Sequence, residues 1–314
     1  MAVLFAIGLP SYTRLLWPDA SAEYSHGRVF NVGREYELDN FEMSLCTGAA
    51  EVLRDNWVGR STVPAHGLYP HQWSWDTAFI AIGHTLVNAS RARIELESLF
   101  AGQWANGLLP HIVFNPAVPE ASYFPGQAYW RSSSDSGGLA PAVQETSGIV
   151  NPPVHAAAVR ALLQRDASPA SLRFAAGLLP KLQRFLDYLS RERDPDGNGL
   201  AFVRHPWENG MDNSPAWDEV LDAMPSIEPC RNHSLPVGQL PAGCTIPPFA
   251  RADLGPGVDP RDRPSNQTYR RFVALLTCAR NNSYDERRIA AADGCGFLVE
   301  DVFFNTLLAQ AAKA

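Results

Sequence analysis

Across residues 169–193 the apolar side chains Leu172, Phe174, Leu178, Leu182, Phe185, Leu186 and Leu189 recur mostly three or four positions apart. A run of that length and period buries its apolar stripe as a helix packed against other helices. The same period returns along the chain. Met43, Leu45, Ala49, Val52 and Leu53 pattern residues 41–57, and Ile94, Leu96, Leu99 and Phe100 pattern residues 90–104. The apolar, aromatic stretch 69–87 is the natural partner of the latter in a helical hairpin. Residues 154–163, the segment from Pro215, and residues 266–278, 283–292 and 297–312 bring the series to about eight helices in antiparallel-looking pairs. No β-rich segment competes, and no fixed-period repeat favours a solenoid. The expectation is an all-α chain of the α/α-barrel kind, with its chemistry on the loops.

Two stretches break the period. Residues 105–153 are about fifty positions of irregular, Pro- and Gly-punctuated chain, a length that in a compact domain marks a functional loop or disorder. Phe114, Tyr123, Phe124, Tyr129 and Trp130 within them argue for order. Residues 225–264 form a second low-periodicity insert. With 314 residues, 46% of them hydrophobic and 19% charged, the chain has ample material for a core. A net charge of −7 without a basic run excludes a nucleic-acid surface. No apolar run is long enough to span a membrane. The expected partner is a small molecule, and no pattern encodes an oligomeric state. Residues 1–9 are apolar but lack a basic flank and a cleavage site, so the expected compartment is the cytoplasm.

Five cysteines, Cys46, Cys230, Cys244, Cys278 and Cys295, show no metal spacing and read as thiols. Cys230 and Cys244, flanking the insert, are the pair an oxidising compartment would join. The run Asp194-Pro195-Asp196-Gly197-Asn198-Gly199 starts like a calcium loop, but His205 stands where a bidentate glutamate is needed. It reads as a turn.

The chain concentrates its chemistry in Trp207-Glu208-Asn209-Gly210-Met211-Asp212-Asn213-Ser214-Pro215-Ala216-Trp217-Asp218. Ser214 and Pro215 make a helix start, with Asp218 and Glu219 suited to the positive end of its dipole. Asp212 is thereby held in the preceding loop, free to face a cleft. A carboxylic acid donates a proton near neutral pH only if burial or a neighbouring negative charge raises its pKa, and Trp207, Trp217 and Glu208 are the local means of doing so. Tryptophan also offers a flat face for a sugar ring. From local features alone, an ordinary capped loop with core aromatics is the alternative.

Five motifs occur in order: Tyr69-Pro70-His71-Gln72-Trp73-Ser74-Trp75-Asp76; Pro110-His111-Ile112-Val113-Phe114; Tyr123-Phe124-Pro125-Gly126; Thr146-Ser147-Gly148-Ile149 with Pro152-Pro153-Val154-His155-Ala156; and Trp207 to Pro215. In this order the chain from about Phe41 onward resembles the mannosylglycerate and glucosylglycerate hydrolases of glycoside hydrolase family 63, a family that includes the mannosyl-oligosaccharide glucosidases of N-glycan processing. The resemblance implies an (α/α)6 barrel over residues 41–314, preceded by an N-terminal extension of residues 1–40. It also implies an inverting α-glycosidase that needs no metal or cofactor. In such chemistry an acid protonates the leaving oxygen while a carboxylate roughly 6.5–9.5 Å away activates water. Asp212 matches the general acid. Trp207 matches a sugar-contacting aromatic, and Tyr69, Trp73 and Asp76 match the wall of the sugar pocket, with Asp76 binding hydroxyls. Trp75 reads as core, and Thr146-Ser147-Gly148 either contacts the substrate or shapes a turn. A glycerate carboxylate calls for an arginine, for which Arg251, Arg263 and Arg270 are candidates and Arg263 is preferred.

The chain also departs from the family pattern. Asn151 stands where the family has a glutamine that reaches a sugar hydroxyl, and the insert is longer than in compact members. The family's general base is a glutamate beyond the equivalent of Ala314, and about eight helices do not close a ring of six hairpins. The expectation is an incomplete barrel lacking its base, with Asp76 or Glu208 as alternatives for that role. Two other functions stay open: an N-glycan-processing glucosidase and a catalytically impaired sugar-binding remnant.

Overall fold

The structure is a computed structural model that describes residues 24–25, 28–31, 34–37, 40–224, 228, 249, 251–254 and 258–314. The helices are Asn40–Asp55 (α1), Ser74–Val87 (α2), Ala89–Ala101 (α3), His155–Arg165 (α4), Pro169–Glu192 (α5), Pro206–Asn209 (α6), Asp218–Asp222 (α7), Asn266–Asn281 (α8), Glu286–Ala291 (α9) and Val302–Ala311 (α10). Two single-turn helices, Gln127–Trp130 and Ser132–Asp135, lie in the irregular stretch. Most of the insert, with Cys230 and Cys244, lies outside the described residues.

The longer helices begin where short polar side chains supply a partner for free amides. Asn88 accepts from Ser90 and Arg91, Ser168 from Ser171, Ser265 from Thr268, Asp285 from Arg287 and Arg288, and Asp301 from Phe304. Each such cap is worth about 1 kcal/mol. The expected hairpin is α2 and α3, turned at Asn88. α2 packs on α3 and α4, α4 on α5, and α10 against α4. From α5 the stripe Phe174, Leu178, Leu182, Phe185, Tyr188 and Leu189 is buried. Leu172, expected in that stripe, is 52% exposed, because it stands two residues before Phe174 and so roughly 200° round the helix. The helix expected from Pro215 is shorter than its cap implies: a 3-10 turn, Pro215–Trp217, then the five residues of α7.

The chain is helix-rich but not purely helical. Tyr24–Ser25 (β1), Arg28–Asn31 (β2) and Arg34–Glu37 (β3) form an antiparallel sheet in the N-terminal segment. Strands that short carry too little alternation to be seen in a sequence. Gln72–Trp73 (β4) pairs antiparallel with Ile112–Val113 (β5), and around this ladder the irregular stretch satisfies its backbone. His111 N–H donates to the Ile149 carbonyl, Ser147 N–H to Ile112 and Phe114 N–H to Glu145, while the buried indoles of Trp104 and Trp130 donate to Thr146 Oγ1 and the Pro125 carbonyl.

A buried ionic knot joins the end of α5 to α6 and α9. Arg193 donates from Nη2 to Glu208 Oε1 and from Nε to Glu286 Oε1, both at 2.7 Å, and Glu286 also pairs with Arg204. Cys278 and Cys295, expected as thiols, form a disulfide instead, with Cα atoms 5.7 Å apart, tying α8 to the segment after α9. Odd cysteine counts and spacing cannot show a pairing that the fold creates. A bridge across a sequence separation of 17 restricts the unfolded chain, so reduction is expected to lower the unfolding free energy by about 3 kcal/mol. Urea midpoints with and without reductant measure this, and coincident curves contradict it.

Candidate active site

The loop that carries Asp212 is built from both ends. His205 Nδ1 accepts from Trp207 N–H at 3.0 Å, Pro206 occupies the first position of α6, and the helix stops after one turn at Gly210, whose φ of 77° is left-handed. The indole of Trp75 lies against that turn, where a Cβ on Gly210 would sit 2.4 Å from the ring. Only glycine fits both the backbone and the space. Trp75 is therefore core, 7% exposed beside Phe79 and Phe303, and it forms the floor of the loop. On the far side Ser214 caps the 3-10 turn, and Trp217 donates its indole N–H to the Met211 carbonyl at 2.8 Å.

Asp212 emerges half-buried between these anchors. Burial raises its pKa; its own backbone amide, Arg263 and Arg251 oppose the rise, and Asp253 adds to it. The same charges act on three phenols: Tyr69 feels Arg263, Asp212 and Asp253, and both Tyr123 and Tyr269 feel Asp212 and Asp253. Arg263 Nη1 donates to Tyr69 Oη at 3.5 Å.

Aromatic rings connect these groups into a bowl. Tyr69 stands edge-on to Trp73 with centroids 5.1 Å apart, and Tyr123 lies 5.3 Å from Trp73. His111 is 6.3 Å from Trp73 and stacks on Trp207 at 6.3 Å and 17°, and Tyr269 stands 5.7 Å from Trp207. Tyr69, Trp73, Trp207, Asp212 and Arg263 are thus brought together from separate segments of the chain. Asp76 is half-buried in the first turn of α2, three residues beyond Trp73, and burial pushes its carboxyl up to about 6.

The structure corrects several expectations. Glu208 is fully buried; burial favours its neutral form, but the Arg193 guanidinium and the Arg204 and Val150 amides reverse this and hold its pKa below the usual value. With its oxygens on Arg193, Arg204 N–H and Val150 N–H, Glu208 neither raises the pKa of Asp212 nor serves as a base. Trp217 packs on Phe297 at 2% exposure and is an anchor, not a wall. Asn151 is 1% exposed and donates to the Trp207 carbonyl at 3.0 Å, so its short amide holds Trp207 from behind. Thr146 and Ser147 are buried on Trp104 and the Ile112 amide, while Gly148 lies where a Cβ would meet the Tyr284 ring at 2.3 Å; the segment shapes a turn.

Among the arginines, Arg251 is taken by Asp253 and the Pro264 carbonyl, and Arg270 by Glu228. At the calcium-like turn, Asp194 accepts from the Asn198 and Gly199 amides. Sequence reasoning gives no role to His111, Tyr123 or Tyr269. His111 and Tyr123 sit in motifs quoted above, whereas Tyr269 is indistinguishable in sequence from a core residue of α8.

The sequence profile of the mannosylglycerate hydrolase MGH1-like glycoside hydrolase domain matches residues 69–314. A mannosylglycerate hydrolase of Rubrobacter radiotolerans is 45% identical over 86% of this chain and 56% of its own length. A glucosylglycerate hydrolase of Mycolicibacterium hassiacum is 38% identical over 86% of this chain and 57% of its own. A crystal structure of the family 63 mannosylglycerate hydrolase of Thermus thermophilus, in complex with Tris and D-glycerate, superposes with a TM-score of 0.70 and 41% identity over 85% of this chain and 57% of that one. The chain spans little more than half the length of these relatives. Among the described residues, no helix is long and apolar enough to cross a membrane. Profile, relatives and structural neighbour agree: the chain belongs to the mannosylglycerate hydrolase MGH1-like glycoside hydrolase family.

Proposed function

We propose that the chain carries the acid side of an inverting α-glycosidase site, within part of an (α/α)6 barrel over residues 41–314 that includes the insert 225–264. Its substrate is a small glycoside of glyceric acid such as mannosylglycerate or glucosylglycerate. The observation that carries this reading is the Asp212 carboxyl, half-buried with a raised pKa beside an arginine in an aromatic bowl. Asp212 protonates the departing glycosidic oxygen. Tyr69, Trp73 and Trp207 wall the sugar, Asp76 binds its hydroxyls, and Arg263 pairs with the glycerate carboxylate. The test is hydrolysis of mannosylglycerate, glucosylglycerate and aryl α-glycosides by the chain and by Asp212→Asn; equal rates in both remove the enzyme.

A second reading, sugar binding without turnover, is favoured by the carboxylates around the acid. Glu208 is locked on Arg193 and Asp253 on Arg251, which leaves Asp76 as the remaining alternative for the base, and burial, which pushes its carboxyl up to about 6, disfavours the ionised form a base needs. Calorimetric binding of the same glycosides with no release of glycerate would select it.

Arg263 has a test of its own. Loss of a charge-assisted contact is expected to weaken binding of the glycerate glycosides by about 10- to 100-fold in Arg263→Ala, while methyl α-glycosides bind as before. Equal weakening of both ligand classes sinks the assignment.

A further inference from the structure

His111 is a member of the bowl to which neither the sequence reading nor the proposed mechanism gives a role. Its position is over-determined: its N–H donates to the Ile149 carbonyl at 2.7 Å, its carbonyl accepts from Ser74 N–H at 2.9 Å, and its ring lies between Trp73 and Trp207. The ring is 6% exposed. Its Nδ1 is sealed from solvent without a hydrogen-bond partner, and no hydrogen bond ties Nε2 to a described residue.

An orphaned buried N–H is rarer than an orphaned buried acceptor. We therefore assign the bare lone pair to the sealed Nδ1 and the ring proton to Nε2. Burial, with His205 nearby, lowers the pKa to about 3, so the ring is neutral at any working pH. A fixed, neutral N–H donor between two indoles, with no acceptor of its own, has the character of a ligand group. A buried polar group left unpaired is costly, and sites that keep one discriminate strongly for the ligand atom that completes it.

We propose that His111 is a sugar-binding residue whose Nε2–H donates to a hydroxyl oxygen of the glycone seated in the bowl walled by Tyr69, Trp73 and Trp207. This rests on the carbohydrate reading above and adds a specificity-determining contact to it. The neutral donor stays in place while Asp212 changes protonation, so the contact holds the sugar through the proton transfer without competing for the proton.

The experiment is calorimetric titration of the 314-residue chain and of His111→Phe with mannosylglycerate, glucosylglycerate and their monodeoxy analogues, alongside thermal unfolding. Phenylalanine keeps the flat ring and removes both nitrogens. The variant is expected to bind the parent glycoside about tenfold more weakly, while its melting temperature stays level or rises because an unpaired buried nitrogen is gone. With the one analogue lacking the contacted oxygen, the two proteins are expected to bind equally. Unchanged affinity for the parent glycoside, or the same loss in both proteins for every analogue, overturns the proposal. If His111→Phe does not fold, histidine ¹⁵N spectra of the unsubstituted chain decide. A neutral Nε2–H tautomer whose Nε2 resonance moves on glycoside addition supports the contact, and an Nδ1–H tautomer or unmoved resonances refute it. Failure of the folded, unsubstituted chain to bind any glycoside removes the proposed function itself, and the role of His111 with it.

Discussion

Asp212→Asn is expected to lower kcat on glycerate glycosides by about 10²- to 10⁴-fold while leaving binding of the glycoside nearly unchanged. The amide keeps the shape of the side chain, but it has no acidic proton to give. The size of the deficit follows the leaving group. A glycerate alkoxide is a poor leaving group and needs the acid; an aryl oxide departs with little help, so the gap between the two proteins narrows on aryl α-glycosides. The pH dependence has a definite sign. A general acid works protonated, so the rate falls as pH rises through its pKa, which burial lifts above the ordinary 3.8. This alkaline limb lies higher than an exposed aspartate would set it and is absent from Asp212→Asn. Initial rates from about pH 4 to 9 on both substrate types are the measurement. A deficit of the same size with glycerate and with an aryl leaving group contradicts acid catalysis and leaves Asp212 only a binding role.

Glu208→Gln is expected to cost about 3–5 kcal/mol of stability, because it breaks a buried pair and leaves Arg193 short of a counter-charge where water cannot substitute. Both partners are essentially inaccessible, at 1% and 0% side-chain exposure, so solvent screening offers no relief. Against a typical total of about 5–15 kcal/mol the variant is close to unfolding at room temperature. Glu208 has a depressed folded pKa against an ordinary 4.5. Its stabilising contribution is therefore fully present above the unfolded value and is lost as pH falls through the folded one. The variant should lose that part of the acid sensitivity. Urea unfolding at about pH 7 and pH 4 measures both effects, and a midpoint within error of the unsubstituted chain refutes the assignment. The same carboxylate holds the Val150 amide and the start of α6, so its loss also loosens the loop under Trp207 and Asp212.

Much of the fold was legible. Periods near 3.6 marked the principal helices because an amphipathic helix repeats its signature over many residues. The sheet β1–β3 and the one-turn helices were not legible, since elements that short leave no periodic trace. Tyr69, Trp73, Asp212 and Trp207, which the structure gathers around one bowl, were singled out through motifs. Glu208, equal to Asp212 in local sequence and four residues from it, was misread because its partner Arg193 is distant along the chain and nothing local announces the pairing. Tyr269 and Trp217 show the symmetric difficulty, as an aromatic in a helical pattern reads the same whether it faces a cleft or a core.

By itself the sequence determined that the chain is helix-rich, that it belongs to this hydrolase family, and that Asp212 sits in a loop ahead of a turn capped by Ser214. These follow from local periodicity, backbone conformation and ordered motifs, all carried by neighbouring residues. Only the tertiary structure decided which carboxylate is locked and which is poised, which arginine stands beside the acid, and that Cys278 meets Cys295. Charge state and reactivity depend on desolvation and on counter-charges within a few ångströms, and that distance in space is set by residues tens of positions apart in the chain.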